Sequence, residues 1–367
     1  MAFEIGFVVL RLLLGAWLLW RIAAPPGGPL RPTCSVIVPA RNEAHALPAC
    51  LGAVRGQLEQ DDELIVVDDH SHDSTAVVAA ASGAAVVAAP PLPEGWTGKA
   101  WACARGAAGA RGEVLCFVDA DTTLAPGALD LLVRTQAAGG GLVSAQPYHH
   151  VVRPYEQLSA LFNTISMMGT DAHTPLGGHR HANGAYGPTV VVDAHHYRLL
   201  GGHGAVAGEL LDDVKLAQVW GRAGQAVRLY GGRSVARFRM YPGGLGHLVE
   251  GWTKNFAAGA AAVNPVTVLL IALWLSLPIQ AVWEVARLAL LGAPSSRTLL
   301  AGAVYGAVAV QLAWMWRRIG RFGILTALLF PVPVVFFLGL FLRSILLTIG
   351  RRPMRWKGRM VPTTARR

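Results

Sequence analysis

Residues 35–43, SVIVPARNE, and residues 64–75, LIVVDDHSHDST, decide the fold. Each begins as a short β-branched run, which predicts a buried strand, and ends in a cluster of polar residues. A third run, Val114–Val118, also ends in polar residues, Asp119-Ala120-Asp121. Ligands bind beyond the carboxyl ends of the strands in an open parallel sheet, so the three clusters are expected to converge on one crevice.

The surrounding chain, from Thr33 to about Asn255, alternates such runs with alanine-rich stretches long enough for helices. This alternation predicts βαβ units and therefore an α/β domain with a mostly parallel sheet flanked by helices. Three later runs extend the pattern: Leu142–Ala145, Thr189–Val192 and Val227–Tyr230.

The acidic clusters suggest a bound cation. Asp119 and Asp121 lie two residues apart at a strand exit, an arrangement that can hold a hard divalent ion against a diphosphate. A single Asp-x-Asp is more often a solvated or helix-capping pair. Three polar clusters at successive strand ends instead favour a binding site. No G-x-G-x-x-G follows the first strand and no G-x-x-x-x-G-K-[ST] occurs, so the phosphates are expected to be held by metal and side chains.

The composition indicates that part of the chain contacts lipid. It has 367 residues, of which 53% are hydrophobic and 15% charged, with a mean hydropathy of +0.41. An ordinary soluble domain has about 25% charged residues. The scattered glycines and prolines exclude a collagen-like chain, and the four cysteines lack the spacing of a zinc ribbon or a disulfide module.

Three stretches are free of charged side chains and long enough to cross a bilayer: Ala257–Trp283, Thr298–Trp316 and Phe322–Leu342. The N-terminal stretch Ile5–Trp20 carries Arg11 and is expected to be a retained anchor, with an interfacial helix or a signal sequence as alternatives. With the middle of the chain in the cytoplasm, three crossings would export the basic tail, against the positive-inside rule. Either the third stretch is a re-entrant hairpin broken at Pro331 and Pro333, or the start of the first lies along the membrane surface.

Most of the net charge of +10 lies in residues 351–367, which carry seven basic residues and no acid. This distribution favours a tail at an anionic membrane surface over a nucleic-acid-binding face, and no nucleic-acid partner is expected. A solvated terminus without a partner is the alternative. The histidines between His149 and His203 lack metal-ligand spacing and are expected on the surface or in loops.

The quoted stretches, together with Val118-Asp-Ala-Asp121 and Leu211-Asp-Asp-Val-Lys-Leu216, resemble the inverting family 2 glycosyltransferases, which have a GT-A nucleotide-sugar-binding fold. Three further segments are similar to the membrane-bound members that glycosylate carotenoid or hopanoid-type lipids: Gly95-Trp-Thr-Gly-Lys-Ala-Trp101, Gly251-Trp-Thr-Lys-Asn255 and Trp356-Lys-Gly-Arg359.

The resemblance implies a role for each matching residue. Pro39, Ala40 and Glu43 would line the base and ribose of a UDP-sugar donor, and Asp69 would accept a hydrogen bond from the uracil. Lys99 would lie against the donor phosphates. Asp119 and Asp121 would bind the ribose and a Mn2+ or Mg2+ ion that bridges the diphosphate. Asp213 would be the general base; Asp212, its neighbour, stands where the family usually has Glu.

These parts suit sugar transfer. A divalent cation offsets the charge on the leaving diphosphate, and a carboxylate takes the proton of an acceptor hydroxyl. The sequence lacks the Gln-x-x-Arg-Trp signature of processive members, so a single transfer to a membrane lipid such as a carotenoid or hopanoid is expected. Transfer to polyprenyl phosphate and a non-catalytic membrane scaffold are the alternatives.

The expected organisation has four parts. Residues 1–32 form a membrane anchor and linker, residues 33–255 the GT-A domain, residues 256–350 the transmembrane helices and residues 351–367 the basic tail. The protein is expected in the cell membrane as a multi-pass protein with a cytoplasmic catalytic domain.

Overall fold

A computed structural model describes residues 2–177, 182–259, 263–291, 295–350, 354–356 and 359–361. Most of the basic tail therefore lies outside the described residues. By packing, the chain divides into two compact units. The sheet unit comprises Ile22–Tyr148 and Gly178–Arg239, and the helical unit comprises Met1–Arg21, His149–Gly177 and Met240–Thr364. The four ranges expected from the sequence stay predictions.

The sheet unit contains an eight-stranded mixed sheet with the order β3-β2-β1-β4-β7-β6-β8-β5. The strands are β1 (Cys34–Ala40), β2 (Glu63–Asp68), β3 (Ala85–Ala88), β4 (Val114–Val118), β5 (Thr122–Leu124), β6 (Leu142–His149), β7 (Thr189–Asp193) and β8 (Val227–Phe238). Six of them coincide with the β-branched runs of the sequence. The short strands β9 (Met354–Trp356) and β10 (Arg359–Val361) form a separate antiparallel pair.

Thirteen α-helices lie within the described residues. The helical unit holds α1 (Ala2–Leu18), α6 (Ala160–Met168), α9 (Leu245–Gly259), α10 (Pro265–Leu291), α11 (Ser295–Ile319), α12 (Ile324–Leu328) and α13 (Pro331–Ile349). The sheet unit holds α2 (Leu47–Arg55), α3 (Thr75–Ala81), α4 (Gly98–Gly109), α5 (Ala128–Gly139), α7 (Ala194–Leu199) and α8 (Asp212–Arg222).

Only half of the sheet is parallel. Strands β3, β2, β1 and β4 run parallel, as expected, whereas β7 pairs antiparallel with β4, β6 with β7, and β5 with β8. The three later β-branched runs are therefore strands, but they do not continue the parallel arrangement. Periodicity predicts the buried faces of a strand and carries no information about the direction of its neighbour.

The register of the parallel strands brings their polar ends level. Ala40 lies opposite Asp68, and Ile37 lies opposite Phe117, so Pro39 and Asp119 follow at the same height two residues later. Strand β4 is buried along its whole length, and the core on one face includes the apolar side of α2. A rigid core thus supports the strand ends where the polar clusters lie.

A buried ion pair ties the start of the sheet unit together. The Arg31 Nη2 atom lies 2.6 Å from Asp62 Oδ2, and the two side chains are 6% and 1% exposed. The backbone N–H groups of Cys34 and Glu59 also donate to the Asp62 carboxylate, at 2.8 and 2.9 Å. Burial opposes ionisation, but the Arg31 hydrogen bond and these N–H groups outweigh it and hold the pKa of Asp62 below its usual value.

Asp62→Ala is expected to destabilise the protein by about 2 kcal/mol, because it removes the shortest ion pair of the buried Arg31 guanidinium and leaves it only the carboxylates of Asp130 and Glu59, at 3.2 and 3.7 Å. The pKa of Asp62 is lowered in the folded state, so this stabilisation is present above its unfolded pKa and is lost as the pH falls. Thermal unfolding of the detergent-solubilised protein at pH 7 measures the loss. The matched control is the neighbouring exposed residue, Asp61→Ala; equal melting temperatures for the two variants would contradict the prediction.

Among the residues that the structure describes, the helical unit contains two helices long and apolar enough to cross a membrane, Pro265–Leu291 and Arg297–Ile319. The stretch Phe322–Leu342 is not one continuous helix, because the chain breaks between α12 and α13, just before Pro331. Proline lacks an N–H and is tolerated at a helix start, which explains the position of the break.

Polar side chains join α1 to the other helices of this unit. The Arg11 guanidinium donates to Ser276 Oγ at 3.1 Å and to Gln280 Oε1 at 2.7 Å. Gln311 accepts from Trp274 Nε1 at 3.0 Å and donates to the Leu12 carbonyl at 2.6 Å. The Arg11 charge in the N-terminal stretch is therefore satisfied by neutral partners on α10.

Candidate active site

Hydrogen bonds join the loop that follows β1 to the loop that follows β2. Asn42 and His70 both adopt left-handed backbone conformations, with φ of 54° and 55°. The Asn42 N–H donates to Ser71 Oγ at 2.9 Å, and the His72 N–H donates to Asn42 Oδ1 at 2.8 Å. Two strand-end loops that share hydrogen bonds in both directions form one rigid surface.

The residues predicted to hold the nucleoside lie on this surface. Asp69 is 4% exposed, and its N–H donates to the Ala40 carbonyl at 2.9 Å. The Arg41 guanidinium donates to the Asp69 carbonyl at 2.8 Å and lies 3.7 Å from the Asp69 carboxylate. Pro39 ends β1 together with Ala40, and Glu43 is buried at the start of the loop.

The acidic pair Asp119 and Asp121 lies in the tight connection between β4 and β5. The Asp119 N–H donates to the Pro188 carbonyl at 3.1 Å, and the Asp119 carbonyl accepts from Thr122 N–H at 2.9 Å. Beneath the pair, burial raises the pKa of the Cys50 thiol, and the negative charges of Asp121, Asp119 and Glu43 raise it further. Three acids from two strand ends thus surround one buried thiol.

Lys99 projects from the first turn of α4 toward these acids. The Thr97 side chain caps the helix by accepting from the Ala100 N–H at 3.4 Å. The Lys99 ammonium lies 2.7 Å from Asp119 Oδ1 and donates to the Gly187 carbonyl at 3.4 Å. The Lys99 ammonium therefore lies at the end of β4, beside Asp119, and its contact with donor phosphates stays a prediction.

Asp212 and Asp213 begin α8 and complete a charged cluster around Lys99. Burial and the Asp212 charge together raise the pKa of Asp213 to about 6, although the Lys99 charge opposes the shift. For Lys99 itself, burial disfavours the charged form, but the carboxylates of Asp119, Asp212 and Asp213 outweigh it and raise the pKa well above its usual value. The cluster therefore places the Lys99 ammonium beside the Asp213 carboxylate, whose pKa lies about one unit below neutral pH.

Gly187 lies next to both the Asp213 carboxylate and the Lys99 ammonium. A Cβ atom built on Gly187 would lie 2.8 Å from Asp213 Oδ2 and 3.0 Å from Lys99 Nζ. Gly187 ends the glycine-rich segment Asn183-Gly184-Ala185-Tyr186-Gly187, which precedes β7. Its last glycine gives the space in which Asp213 and Lys99 approach each other.

A buried histidine that the sequence did not predict, His203, lies next to Asp212. His203 is 4% exposed, and its Nε2 atom lies 3.8 Å from Asp212 Oδ2. His149 and His173 are also buried, so the expectation of surface or loop histidines is wrong for His149, at the end of β6, and for His203, whereas His173 is buried within a turn. The glycines at positions 201, 202 and 204 around His203 were the available signal, since they allow close packing of the chain.

Sequence comparison identifies the family. The sequence model described as Glycosyl transferase family 2 matches residues 35–200. The 4,4'-diaponeurosporenoate glycosyltransferase of Staphylococcus haemolyticus is 33% identical over 335 residues, which cover 89% of this chain and 87% of that protein. The chain belongs to glycosyl transferase family 2. The Staphylococcus aureus protein of the same name is 32% identical over 267 residues, covering 72% of this chain and 71% of that one.

A solved structure supports the fold of this family 2 glycosyltransferase. A mannosyltransferase from Pyrobaculum calidifontis, in complex with GDP-Man and Mn2+, superimposes with a TM-score of 0.60. The match covers 96% of this chain and 97% of the mannosyltransferase at 18% identity. The GT-A fold expected from the sequence is therefore confirmed, as is the likeness to carotenoid-type lipid glycosyltransferases.

The acids of the glycosyltransferase site fit a divalent cation that is completed by substrate. No group of three or more His, Cys, Asp or Glu side chains suited to a metal occurs among the described residues. Mg2+ and similar ions often take only one or two carboxylates from the protein and fill their other positions with phosphate oxygens and water. Asp119, and Asp121 with its exposed side chain, supply such a pair of hard oxygen ligands.

Gly187→Ala is expected to reduce sugar transfer at least tenfold with little change in melting temperature. The added methyl group would push apart the Asp213 carboxylate and the Lys99 ammonium, and misplacing reacting groups by about 1 Å can cost about 100-fold in rate. Gly184→Ala is the matched control, because its nearest contact would be Val214 Cγ1 at 3.2 Å. Initial rates with saturating donor compare the variants, and wild-type activity in Gly187→Ala would contradict the prediction.

Proposed function

We propose that this glycosyltransferase transfers a single sugar from a nucleotide sugar to the polar end of a carotenoid-type lipid, with inversion at the anomeric carbon. The observation that carries the proposal is the meeting of Lys99, Asp119 and Asp213 at the ends of β4, α4 and α8. A cation that faces a leaving diphosphate and a carboxylate that accepts a proton are the two groups that this displacement needs.

The donor end of the reaction is supported by the joined loops after β1 and β2. Pro39, Ala40, Glu43 and Asp69 line one surface there, in agreement with a role in holding the nucleoside. A UDP-sugar is the proposed donor, with Asp69 accepting from the uracil. A divalent cation bound by Asp119 and Asp121 would offset charge on the diphosphate as a Lewis acid.

Asp213 is proposed to remove the acceptor proton. The hydroxyl oxygen attacks the anomeric carbon on the face opposite the diphosphate, its proton passes to the Asp213 carboxylate, and the bond to the diphosphate breaks. One displacement gives inversion. A base with a pKa of about 6 is ionised at pH 7 and still basic enough to share the proton in the transition state.

The chemical class of the acceptor, a hydroxyl or a carboxylate, decides whether the reaction needs a base. The name 4,4'-diaponeurosporenoate denotes a carboxylate, and such an acceptor already carries the attacking oxygen as an anion. A hydroxylated lipid needs a base and a carboxylated lipid does not. The Asp213 carboxylate favours the hydroxyl as acceptor, because it can take a proton from a hydroxyl group, whereas it would only repel the charge of an anionic acceptor.

The apolar helices α10 and α11 support a membrane location, where the lipid acceptor is dissolved. The proposed arrangement is a multi-pass protein of the cell membrane with the sheet unit in the cytoplasm. Within the helical unit, Trp252 packs on Phe162 with 4.9 Å between ring centroids and donates to Ser159 Oγ at 3.0 Å.

The test uses membranes that contain the protein. They are incubated with a panel of UDP- and GDP-sugars, Mn2+ or Mg2+, and two carotenoid preparations, one hydroxylated and one carboxylated, and the products are weighed by mass spectrometry. A glycosylated carotenoid that depends on a nucleotide sugar supports the proposal. Transfer to polyprenyl phosphate alone, or no product and no binding of UDP with Mn2+, would overturn it.

A further inference from the structure

Behind the proposed base lies a buried row of three side chains. Tyr197, on α7, has its hydroxyl 2.8 Å from His203 Nδ1. The other ring nitrogen of His203 faces Asp212 Oδ2 at 3.8 Å. Tyr197, His203 and Asp212 are 5%, 4% and 6% exposed. The row therefore runs through the interior and ends at the residue that precedes Asp213.

The surroundings of His203 favour a proton on its Nε2 nitrogen. Burial lowers the pKa of His203 to about 4, so the ring is neutral at pH 7 and holds one N–H. The Tyr197 hydroxyl oxygen accepts from the His203 backbone N–H at 3.1 Å, which leaves its own hydrogen to donate to Nδ1. The N–H is then at Nε2 and points to Asp212, whereas the other tautomer would turn a lone pair toward a carboxylate.

The backbone is shaped to allow this contact. Gly202 has φ of +52°, and a Cβ atom there would lie 2.5 Å from Tyr197 Cζ. Phe117 packs edge-on against the His203 ring, with centroids 4.7 Å apart. A glycine that admits the tyrosine and an aromatic ring that holds the imidazole keep the row in one arrangement.

We infer that Tyr197 and His203 are positioning residues for the proposed base, and that the Nε2 edge of the His203 ring, which faces Asp212 Oδ2 at 3.8 Å, orients the Asp212 carboxylate beside Asp213. The inference rests on the proposed function of Asp213. It gives separate roles to the two adjacent acids at the start of α8, although their like charges oppose each other. Tyr197 and His203 position Asp212, and Asp213 takes the proton.

The charged and titratable groups around the pair come from several elements. Asp213 faces Lys99 of α4, Asp212, and Asp119 at the end of β4. Cys103 of α4 lies near Asp212 and Lys99. His203 faces Asp212 and Lys99 in addition to Tyr197. Without the imidazole ring, Asp212 loses the neighbour that orients its carboxylate and the positive end of the N–H dipole that faces it, so we expect the two acids to hold a proton more tightly.

Two substitutions of His203 separate its two nitrogens. In His203→Gln the side-chain amide reaches the Nε2 position, and in His203→Asn it reaches only the Nδ1 position. We expect His203→Asn and Tyr197→Phe to move the acidic limb of the pH profile of kcat to higher pH by about one unit, a tenfold loss of the ionised form at low pH. The KM for the nucleotide sugar is expected to stay unchanged, and His203→Gln to restore most of the wild-type profile.

A second measurement does not depend on activity. Imidazole 15N NMR of the histidine-labelled full chain in detergent, with His203→Gln used to assign the resonance, reports the tautomer. A proton on Nε2 in the wild type, lost from that fixed position in Tyr197→Phe, is expected. A proton on Nδ1, or equal pH profiles for His203→Asn and His203→Gln in an active enzyme, would overturn the inference. Absence of transfer by the wild type under all conditions would instead count against the proposed function.

Discussion

Asp213→Asn is expected to lower sugar transfer to a hydroxylated acceptor by roughly 100- to 10,000-fold, the usual contribution of a general base. The amide keeps the size of the carboxylate but cannot accept the acceptor proton. The nucleoside loops after β1 and β2 are separate from α8, so binding of UDP is expected to stay within about threefold, or about 0.6 kcal/mol. Initial rates and calorimetric titration with UDP measure the two quantities.

The same substitution is expected to leave the protein more stable at pH 8. The pKa of Asp213 is about 6 in the folded chain and 3.8 in the reference state, so the folded chain binds the proton more tightly and loses stability as the pH rises between these values. Asparagine removes the buried charge. A gain on the order of 1 kcal/mol at pH 8, which disappears near pH 4, is the expected sign of a residue kept for activity.

The neighbouring acid supplies the matched control. Asp212→Asn changes the same functional group one residue away, and its expected loss of rate is smaller because Asp212 acts through Asp213. Equal losses in the two variants would contradict the separate roles. Wild-type turnover in Asp213→Asn with a hydroxylated acceptor would remove Asp213 from the mechanism, and turnover only with a carboxylated acceptor would identify an acceptor that needs no base.

The strand ends were predictable because their information is local. A buried run followed by polar residues predicts a strand and its exit, and β1, β2 and β4 begin and end close to the expected positions. Strand β3 was missed, since Ala85–Ala88 is mostly exposed and shows no buried pattern. The antiparallel pairing of β7 was also missed, because strand direction is set by the connections and by packing rather than by the periodicity of the strand itself.

The acids of the site could be found from the sequence, but the way they are held could not. Asp119, Asp121 and Asp213 are visible as motif residues. The contact of Lys99 with Gly187 and the row from Tyr197 to Asp212 join residues on different elements, and the row also needs the left-handed conformation of Gly202. Such contacts depend on backbone geometry far along the chain, which one sequence without an alignment does not reveal.

Asp121→Asn is expected to lower sugar transfer by about 100-fold or more, about 3 kcal/mol in transition-state stabilisation, and to abolish the effect of Mn2+ on UDP binding. Asparagine keeps a neutral oxygen at the same position but loses the negative charge that a divalent cation requires. The side chain is exposed, so the melting temperature is expected to stay within about 1 °C, consistent with the small effect of most surface substitutions.

The position of Asp121 makes this variant more informative than Asp119→Asn. Asp119 also forms the 2.7 Å pair with Lys99, so its loss would disturb a second charge at the same time. The control is Asp61→Asn. Asp61 is an exposed aspartate that precedes β2, at the end of that strand away from the polar clusters. Titration of UDP with and without Mn2+ compares the three proteins. Because the control retains both acids of the site, it should bind UDP as the wild type does, and an Asp121→Asn protein whose UDP affinity still rises with Mn2+ would exclude Asp121 as a ligand.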